Sequence, residues 1–256
     1  MIIFIIPVYN EERNIGKFLQ STKEAMDRYQ LDYKMVLVND GSTDRTLEAI
    51  EAFTKSITIE LCSYHPNCGV GEALRRGFDL ALKIAKDNDV IITSEADNTS
   101  DLGILDEMIQ KIRDGYDLAL ASCYTKGGGV QGTTFFRMIL SRSANILLRL
   151  FFFRRGIHTY SSFYRAYKSR ALREVSRAYG KDLIKENGFE CMVELLVKFL
   201  RNNKFRICEV PMVLDGRRRE DKSKMRVVQT TFGFLKVIFQ EGIIYQARNM
   251  LLWSKR

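Results

Sequence analysis

Residues 90–102 read VIITSEADNTSDL, an apolar run that ends in two carboxylates, Glu95 and Asp97. The run has the length and composition of a strand buried on both faces. Because residues i and i+2 of an extended chain point the same way, Glu95 and Asp97 can approach a single cation. The pattern equally fits a plain polar strand end, in which Asp97 begins an Asx-turn into the next residues. This stretch alone leaves both interpretations open.

Strand and helix patterns alternate on both sides of this stretch. Short β-branched runs are separated by segments with helical periodicity, which predicts an α/β fold with a mostly parallel, doubly wound sheet. The predicted strands cover residues 2–6, 33–40, 56–64, 89–97 and 116–124. Ligands of such sheets bind at the carboxyl ends of the strands. Asp40, Asp97 and Cys123 are expected at such ends.

The pattern changes after residue 124. Residues 125–132, TKGGGVQG, predict a flexible glycine-rich loop, and residues 133–156 predict a helix or a broken pair of helices. This helical segment has five arginines and no acidic residue among large apolar side chains. Such a pattern fits a helix lying in a membrane interface, and it also fits a core helix with snorkelling arginines.

Composition and charge exclude several classes of protein. The chain has 256 residues, 46% of them hydrophobic, so it can bury a full core and is not globally disordered. No signal peptide is expected from the first residues, and no membrane span is expected because the chain lacks a run of about 18–20 apolar residues. Five cysteines without metal-ligand spacing indicate reduced thiols in a cytosolic protein. Two isolated histidines and the lack of a P-loop lysine argue against a hydrolase triad or a P-loop site.

Positive charge is concentrated at the end of the chain. Residues 216–256 contain ten Lys or Arg and three Asp or Glu, a net charge of +7 out of the +9 of the whole chain. This asymmetry indicates phosphate groups, a membrane surface or nucleic acid as the partner, unless the segment is only a solvated basic tail. No nucleic-acid-binding motif is present, so a nucleic-acid partner is not expected.

Four motifs in order carry a resemblance to a known family. They are IIPVYNEERNI, VLVNDGSTDRT, NCGVGEALRRGF and SEADNTSDL, and they are followed by RMILSRSANILLRL, TYSSFYRAY, NGFECMVELL and EVP. Together they resemble a family 2 glycosyltransferase with the GT-A fold, of the group that contains the dolichol-phosphate mannose synthases. The resemblance implies transfer of a sugar from a nucleotide diphosphate, such as GDP-mannose or a UDP-sugar, to a polyprenyl or dolichyl phosphate.

The resemblance also assigns roles to residues. It implies a nucleotide-sugar site, an Mg²⁺ or Mn²⁺ site on the donor diphosphate, and an acceptor phosphate site; Asp97 and Arg137 are the expected catalytic residues. The expected nucleotide-sugar residues are Pro7, Tyr9, Glu11, Asp40, Glu95, Asp97, Arg218 and Lys224. The expected metal ligands are Glu95 and Asp97, and the expected acceptor phosphate residues are Arg137, Ser141 and Arg142.

The sequence departs from the family pattern at three places. Glu95 replaces the usual aspartate, Cys123 replaces an arginine of the mannose synthases, and Asp221 replaces a glycine of the late basic loop. These departures keep two alternatives open. One is a family 2 enzyme that acts on a glycan hydroxyl, and the other is an inactive membrane-surface binding protein of the same fold.

The resemblance and the charge pattern together predict the organisation of the chain. We expect a GT-A catalytic domain at 1–215 with interface helices at 134–155, followed by a basic loop and amphipathic helices at 216–256. The protein is expected to be peripheral on the cytoplasmic face of a membrane. The pattern allows a homo-oligomer or a separate membrane-anchoring partner.

Overall fold

The computed structural model describes residues 1–221, 224 and 227–253, with side chains described except at 227, 228 and 243–253. Within these residues the chain forms nine strands and eight α-helices. The strands are β1 (Ile2–Val8), β2 (Tyr33–Asp40), β3 (Ile59–Tyr64), β4 (Val90–Thr93), β5 (Leu118–Ser122), β6 (Gly129–Gln131), β7 (Arg165–Lys168), β8 (Ile207–Pro211) and β9 (Val213–Asp215). The helices are α1 (Ile15–Tyr29), α2 (Thr46–Glu51), α3 (Val70–Ile84), α4 (Leu105–Arg113), α5 (Phe135–Phe151), α6 (Ser169–Tyr179), α7 (Cys191–Leu200) and α8 (Val227–Trp253).

Seven strands form one sheet in the order β3-β2-β1-β4-β7-β5-β8. All its pairings are parallel except those of β7, which runs antiparallel to both β4 and β5. The expected mostly parallel α/β sheet is therefore confirmed. The carboxyl ends of β2, β1, β4 and β5 lie along one edge, which is where ligands bind in such sheets.

Both faces of the sheet are covered by helices. Side chains alternate along β1, so Ile3 and Ile5 pack on one face while Phe4 and Ile6 pack on the other. The first face carries α3 together with the buried residues of α6 and α7, and the second carries α1, α2 and α4. This two-sided burial explains why the strands read as continuous apolar runs rather than alternating ones.

The glycine-rich segment 125–132 contains a strand, so the prediction of a flexible loop was wrong. β6 within it pairs in parallel with β9. A Cβ added at Gly128 would lie 2.4 Å from the Ser122 carbonyl oxygen, so glycine permits the close approach that starts this strand. The Asp215 N–H donates to the Thr99 carbonyl at 3.1 Å, which brings the start of the basic segment beside residues 97–99.

α5 is one continuous helix with an exposed apolar side. It begins after Thr134, whose hydroxyl accepts from the Arg137 N–H at 3.3 Å, and it buries only Asn145 and Leu148 fully. Phe135 and Phe136 remain 72% and 68% exposed.

α8 packs against α5 and α7. Its described side chains include both buried apolar residues, such as Phe234 and Val237, and exposed apolar residues, such as Phe232 and Phe239, so this helix is apolar on two sides. We call the exposed apolar side chains of the two helices and the segment after α5 the apolar ridge; they are Phe135, Phe136, Ile139, Ile146, Leu150, Phe151, Phe153, Phe232, Leu235 and Phe239. Among the described residues, no helix is both long enough and apolar enough to cross a bilayer. Part of the predicted 216–256 segment, at 222, 223, 225, 226 and 254–256, lies outside the described residues.

Candidate active site

A large cleft opens at the carboxyl ends of β1, β2 and β4. Its volume is about 860 Å³. Seven of the predicted nucleotide-sugar residues line it, namely Pro7, Tyr9, Glu11, Asp40, Glu95, Asp97 and Lys224. Since these residues come from separate strand ends and from the late basic segment, the fold brings together positions up to 217 residues apart in the chain.

Asp40 organises one end of the cleft. The N–H groups of Cys68 and Gly69 donate to its two carboxylate oxygens at 2.7 and 2.9 Å, and the Asn67 amide donates to the same group at 2.9 Å. The carboxylate therefore fixes the loop that precedes α3. A nucleotide base or ribose hydroxyl that donates to Asp40 would form a fourth hydrogen bond to a carboxylate that already accepts three.

Asn14 is buried behind the cleft, where it joins three loops. Its amide donates to Glu11 Oε2 at 2.7 Å, and its side-chain oxygen accepts from the Glu220 N–H at 3.0 Å. Its carbonyl accepts from the Asn98 amide at 3.1 Å. Lys224 donates to Glu11 Oε1 at 2.6 Å. The late basic segment is thus fastened onto the segment that follows β1.

Asp97 has two distinct sets of partners. Its Oδ1 accepts from the N–H and the hydroxyl of Thr99 at 3.0 and 2.7 Å, which is the Asx-turn that the sequence allowed. Its Oδ2 accepts from the Arg219 guanidinium, whose Nε lies 2.8 Å away. The guanidinium of Arg219 therefore already places a positive charge beside this carboxylate.

Glu95 lies next to this pair, and all three residues line the large cleft. No described side chain donates to its carboxylate. Burial raises the pKa of Glu95 well above its ordinary value, the carboxylates of Asp97 and Glu11 act in the same direction, and Arg219 opposes them. Two oxygen-donor side chains in this setting suit a hard cation such as Mg²⁺ or Mn²⁺.

The residues present fit a cation that is shared with a ligand. Among the described residues, no group of three or more His, Cys, Asp or Glu side chains could hold a metal ion. Mg²⁺ usually takes one or two carboxylates and completes its shell with substrate phosphates and water. Glu95 and Asp97 meet that requirement, and Arg219 would give up or share its contact with Asp97.

A second cavity of about 340 Å³ lies between the end of β5 and the helices α5 and α8. Arg137 and Ser141 line it, as do Cys123 and Tyr124 at the strand end. The Tyr124 hydroxyl donates to Ser141 Oγ at 2.8 Å. Burial raises the pKa of Cys123 to about 11, so its thiol stays protonated at neutral pH. Arg142 is exposed on α5 and does not line the cavity.

The two cavities meet at a shared wall. Both are lined by Glu95, Phe163, Phe189, Arg219 and Thr230, which we call the junction. Phe163 precedes β7, which pairs with β4, and its ring meets that of Phe189 edge-on with centroids 6.3 Å apart. A group that moves from the large cleft to the second cavity would pass this junction.

The late basic segment differs from its expected placement. Arg218 lies outside both cavities, with its nearest acidic partner Asp101 at 3.8 Å, whereas the next residue, Arg219, lines both. Sequence reasoning missed Arg219 because it is one of three consecutive arginines with no local pattern to separate them. It also missed Phe189 and Glu190, since the helix signal of residues 188–203 hides where that helix begins.

The chain belongs to glycosyl transferase family 2, because the model of that family matches residues 3–176, more than half of the chain. The family expected from the motifs is thereby confirmed. A dolichol-phosphate mannosyltransferase of Pyrococcus furiosus is 27% identical over 237 residues, covering 92% of this chain and 62% of that protein. A polyprenol monophosphomannose synthase of Mycolicibacterium smegmatis is 28% identical over 217 residues, covering 84% of this chain and 77% of that protein. The chain thus spans less than two thirds of the Pyrococcus relative.

Solved structures confirm the GT-A-like fold. Glucosyl-3-phosphoglycerate synthase of Mycobacterium tuberculosis, in complex with Mn²⁺, UDP and phosphoglyceric acid, matches with a TM-score of 0.67 at 18% identity, covering 94% of this chain and 78% of that one. The same synthase with Mg²⁺ and UDP matches with a TM-score of 0.63 at 17% identity, covering 94% and 79%. At such identities the likeness concerns the fold alone.

Proposed function

We propose that this protein transfers a sugar from a nucleotide-diphosphate sugar, GDP-mannose or a UDP-sugar, to a polyprenyl or dolichyl phosphate, with inversion and with Mg²⁺ or Mn²⁺. The observation that carries the proposal is the meeting of the two cavities at Glu95 and Arg219. The second cavity lies between two helices whose outer sides form the apolar ridge. The names of the two curated relatives support the choice of acceptor.

The donor is assigned to the large cleft. Asp40 and Tyr9 lie at the end of the cleft that would bind the nucleotide. Glu95 and Asp97 would hold the cation at the diphosphate. A bound divalent cation would neutralise the negative charge that develops on the leaving diphosphate. The positively charged side chains of Arg219 and Lys224 line the same cleft. They would add charge-assisted hydrogen bonds to the phosphates.

The acceptor phosphate is assigned to the second cavity beside Arg137 and Ser141. Its oxygen forms a bond to the anomeric carbon while the bond from that carbon to the diphosphate oxygen breaks. Because a phosphate monoester is already anionic near neutral pH, this attack needs positioning rather than a general base. The isoprenoid chain would leave the cavity between α5 and α8 toward the apolar ridge.

The apolar ridge is proposed to lie in the membrane interface, on the cytoplasmic face. Large exposed phenylalanines beside arginines are typical of helices that insert one side among lipid headgroups. Five free cysteines agree with a reducing compartment. We also propose that residues 1–215 form the catalytic domain and that 216–256 close over the site and contribute to this surface.

Incubation with labelled nucleotide sugars tests the proposal. The protein, Mg²⁺ or Mn²⁺, and a polyprenyl phosphate are expected to yield a labelled glycolipid with one donor of the panel. The free polyprenol, which has a hydroxyl instead of the phosphate, should not accept the sugar. Transfer to a glycan hydroxyl but not to the lipid phosphate would contradict the proposed acceptor, and no binding of nucleotide or Mn²⁺ in calorimetry would contradict enzymatic activity itself.

A further inference from the structure

Five carboxylates line the large cleft, and four of them have either side-chain partners or a proposed role. Glu11 binds Asn14 and Lys224, Asp40 binds the loop before α3, and Asp97 binds Thr99 and Arg219, while Glu95 is assigned to the cation. The fifth is Glu190. Its carboxylate accepts from the backbone N–H groups of Gly188 and Glu190, and among the described residues no side chain forms a hydrogen bond or an ion pair with it.

Glu190 stands in a space that two glycines create. It directly precedes α7. A Cβ added at Gly188 would lie 2.4 Å from Glu190 Oε2, and one added at Gly233 of α8 would lie 2.6 Å from Glu190 Cδ. In the observed side-chain conformation the carboxylate therefore packs directly against the backbone of its own loop and of α8.

The loop that carries Glu190 is held from both sides. The Gly71 N–H of α3 donates to the Asn187 carbonyl at 2.9 Å. The buried Glu194 carboxylate accepts from the N–H groups of Lys185 and Glu186 at 2.8 and 3.1 Å. Groups that recognise a ligand are most selective when their own positions are fixed in this way.

Glu190 also borders the junction from the donor side. The preceding residue, Phe189, is part of the junction, and Glu190 lines the large cleft but not the second cavity. If a sugar is transferred from the cleft to the second cavity, its anomeric carbon must reach the junction. Asn187 and Glu190 form part of the cleft wall beside the junction, so they are within reach of the ring hydroxyls of such a sugar.

The geometry points to Glu190 as the residue that reads the hydroxyl groups of the transferred sugar. This inference rests on the proposed function and goes beyond it, since it names the group that selects among donors. A carboxylate has two oxygens that can each accept from a hydroxyl, and neighbouring hydroxyls of one sugar can bind both. A site built to bind a hydroxyl rejects an analogue that lacks it, because an acceptor that the bound donor shields from water then loses a hydrogen bond.

The test compares donors that differ by one hydroxyl. The parent, Glu190→Ala and Glu190→Gln are assayed with GDP-mannose, UDP-glucose and analogues of each that lack a single sugar hydroxyl. For the donor that the parent uses, removing the hydroxyl read by Glu190 should lower kcat/KM by about 10- to 100-fold. The same removal should cost Glu190→Ala less than about threefold, because the interaction is already gone. Glu107→Gln on the exposed side of α4 is the matched control and should discriminate as the parent does.

Calorimetry separates this inference from the proposed function. GDP and UDP should bind Glu190→Ala as tightly as they bind the parent, whereas the sugar donor should bind it more weakly. Equal weakening of the bare nucleotide would overturn the inference, as would a variant that discriminates hydroxyls like the parent. Unchanged donor binding with lost turnover would also overturn it, in favour of proton transfer by Glu190. A parent that turns over no donor contradicts the proposed function, and the binding comparison still decides the role of Glu190.

Discussion

The large cleft and the second cavity are built in different ways. The cleft lies on the ends of parallel strands, and its carboxylates are fixed by hydrogen bonds to nearby turns, as with Asp40 and Asp97. The second cavity lies between the end of β5 and the helices α5 and α8, which pack on each other and expose apolar side chains on their outer sides. In the proposed assignment, donor chemistry depends on a rigid polar frame, while acceptor access depends on the placement of α5 and α8.

The largest effect is expected from Asp97→Asn. Asparagine keeps the side-chain oxygen that accepts from Thr99 but removes the charge that faces Arg219 and the proposed cation. Loss of several kcal/mol of charge stabilisation predicts a decrease of about 10³-fold in kcat. The measurement is metal-dependent glycolipid formation, with thermal unfolding to show that the fold is retained. Turnover at the level of the parent would refute the metal assignment.

Arg137→Ala should separate the two regions. Removing a charge-assisted contact to phosphate predicts an increase of up to about 100-fold in the KM for polyprenyl phosphate. Donor binding should be unchanged because Arg137 lines only the second cavity. Arg142→Ala is the matched control, since that arginine lies one turn further along α5 and outside the cavity. Equal effects of the two substitutions would mean that general positive charge, rather than a defined phosphate site, matters.

Substitutions in the apolar ridge should affect membrane binding before catalysis. The triple change Phe135→Ser, Phe136→Ser and Phe239→Ser removes large exposed rings and should weaken binding to anionic liposomes by at least about 10-fold. Affinity for the nucleotide sugar, measured without lipid, should stay the same. Ile84→Ser at the end of α3 changes an exposed apolar residue elsewhere and should have no effect. Liposome binding equal to that of the parent would contradict the interface assignment.

The smallest effect is expected from Lys236→Gln. Lys236 on α8 is 56% exposed at its side chain and donates to Glu186 at 2.8 Å, close to the loop that lines the cleft. The pair joins a half-exposed lysine to a buried carboxylate, and glutamine can still donate a hydrogen bond to that carboxylate, so donor affinity should change by less than about threefold. Calorimetric titration with the nucleotide sugar measures this. A loss above about tenfold would show that α8 controls the donor cleft, and the two regions could no longer be treated as separate.

The phenylalanines at the end of α5 show what the sequence pattern cannot predict, namely which side chains face the core. From sequence, Phe135, Phe136 and residues 151–153 all fit a membrane-facing role. The structure leaves Phe153 61% exposed but buries Phe152 completely in the core, with its N–H bonded to Leu148. Consecutive aromatic residues point in different directions at a helix end, and only packing decides which of them faces the core.

The sequence by itself determined the α/β class, the family and the donor motifs, because buried parallel strands and their polar ends leave local patterns. It also indicated an amphipathic helix after residue 133. The tertiary structure decided that Arg219 rather than Arg218 reaches Asp97, that Gly129 begins a strand, and that Glu190 enters the cleft. Each of these depends on contacts between segments far apart in the chain, such as the pairing of β6 with β9 and the approach of Gly233 to Glu190. Local periodicity carries no information about such contacts, because it reports the environment of a segment and not the identity of its neighbours.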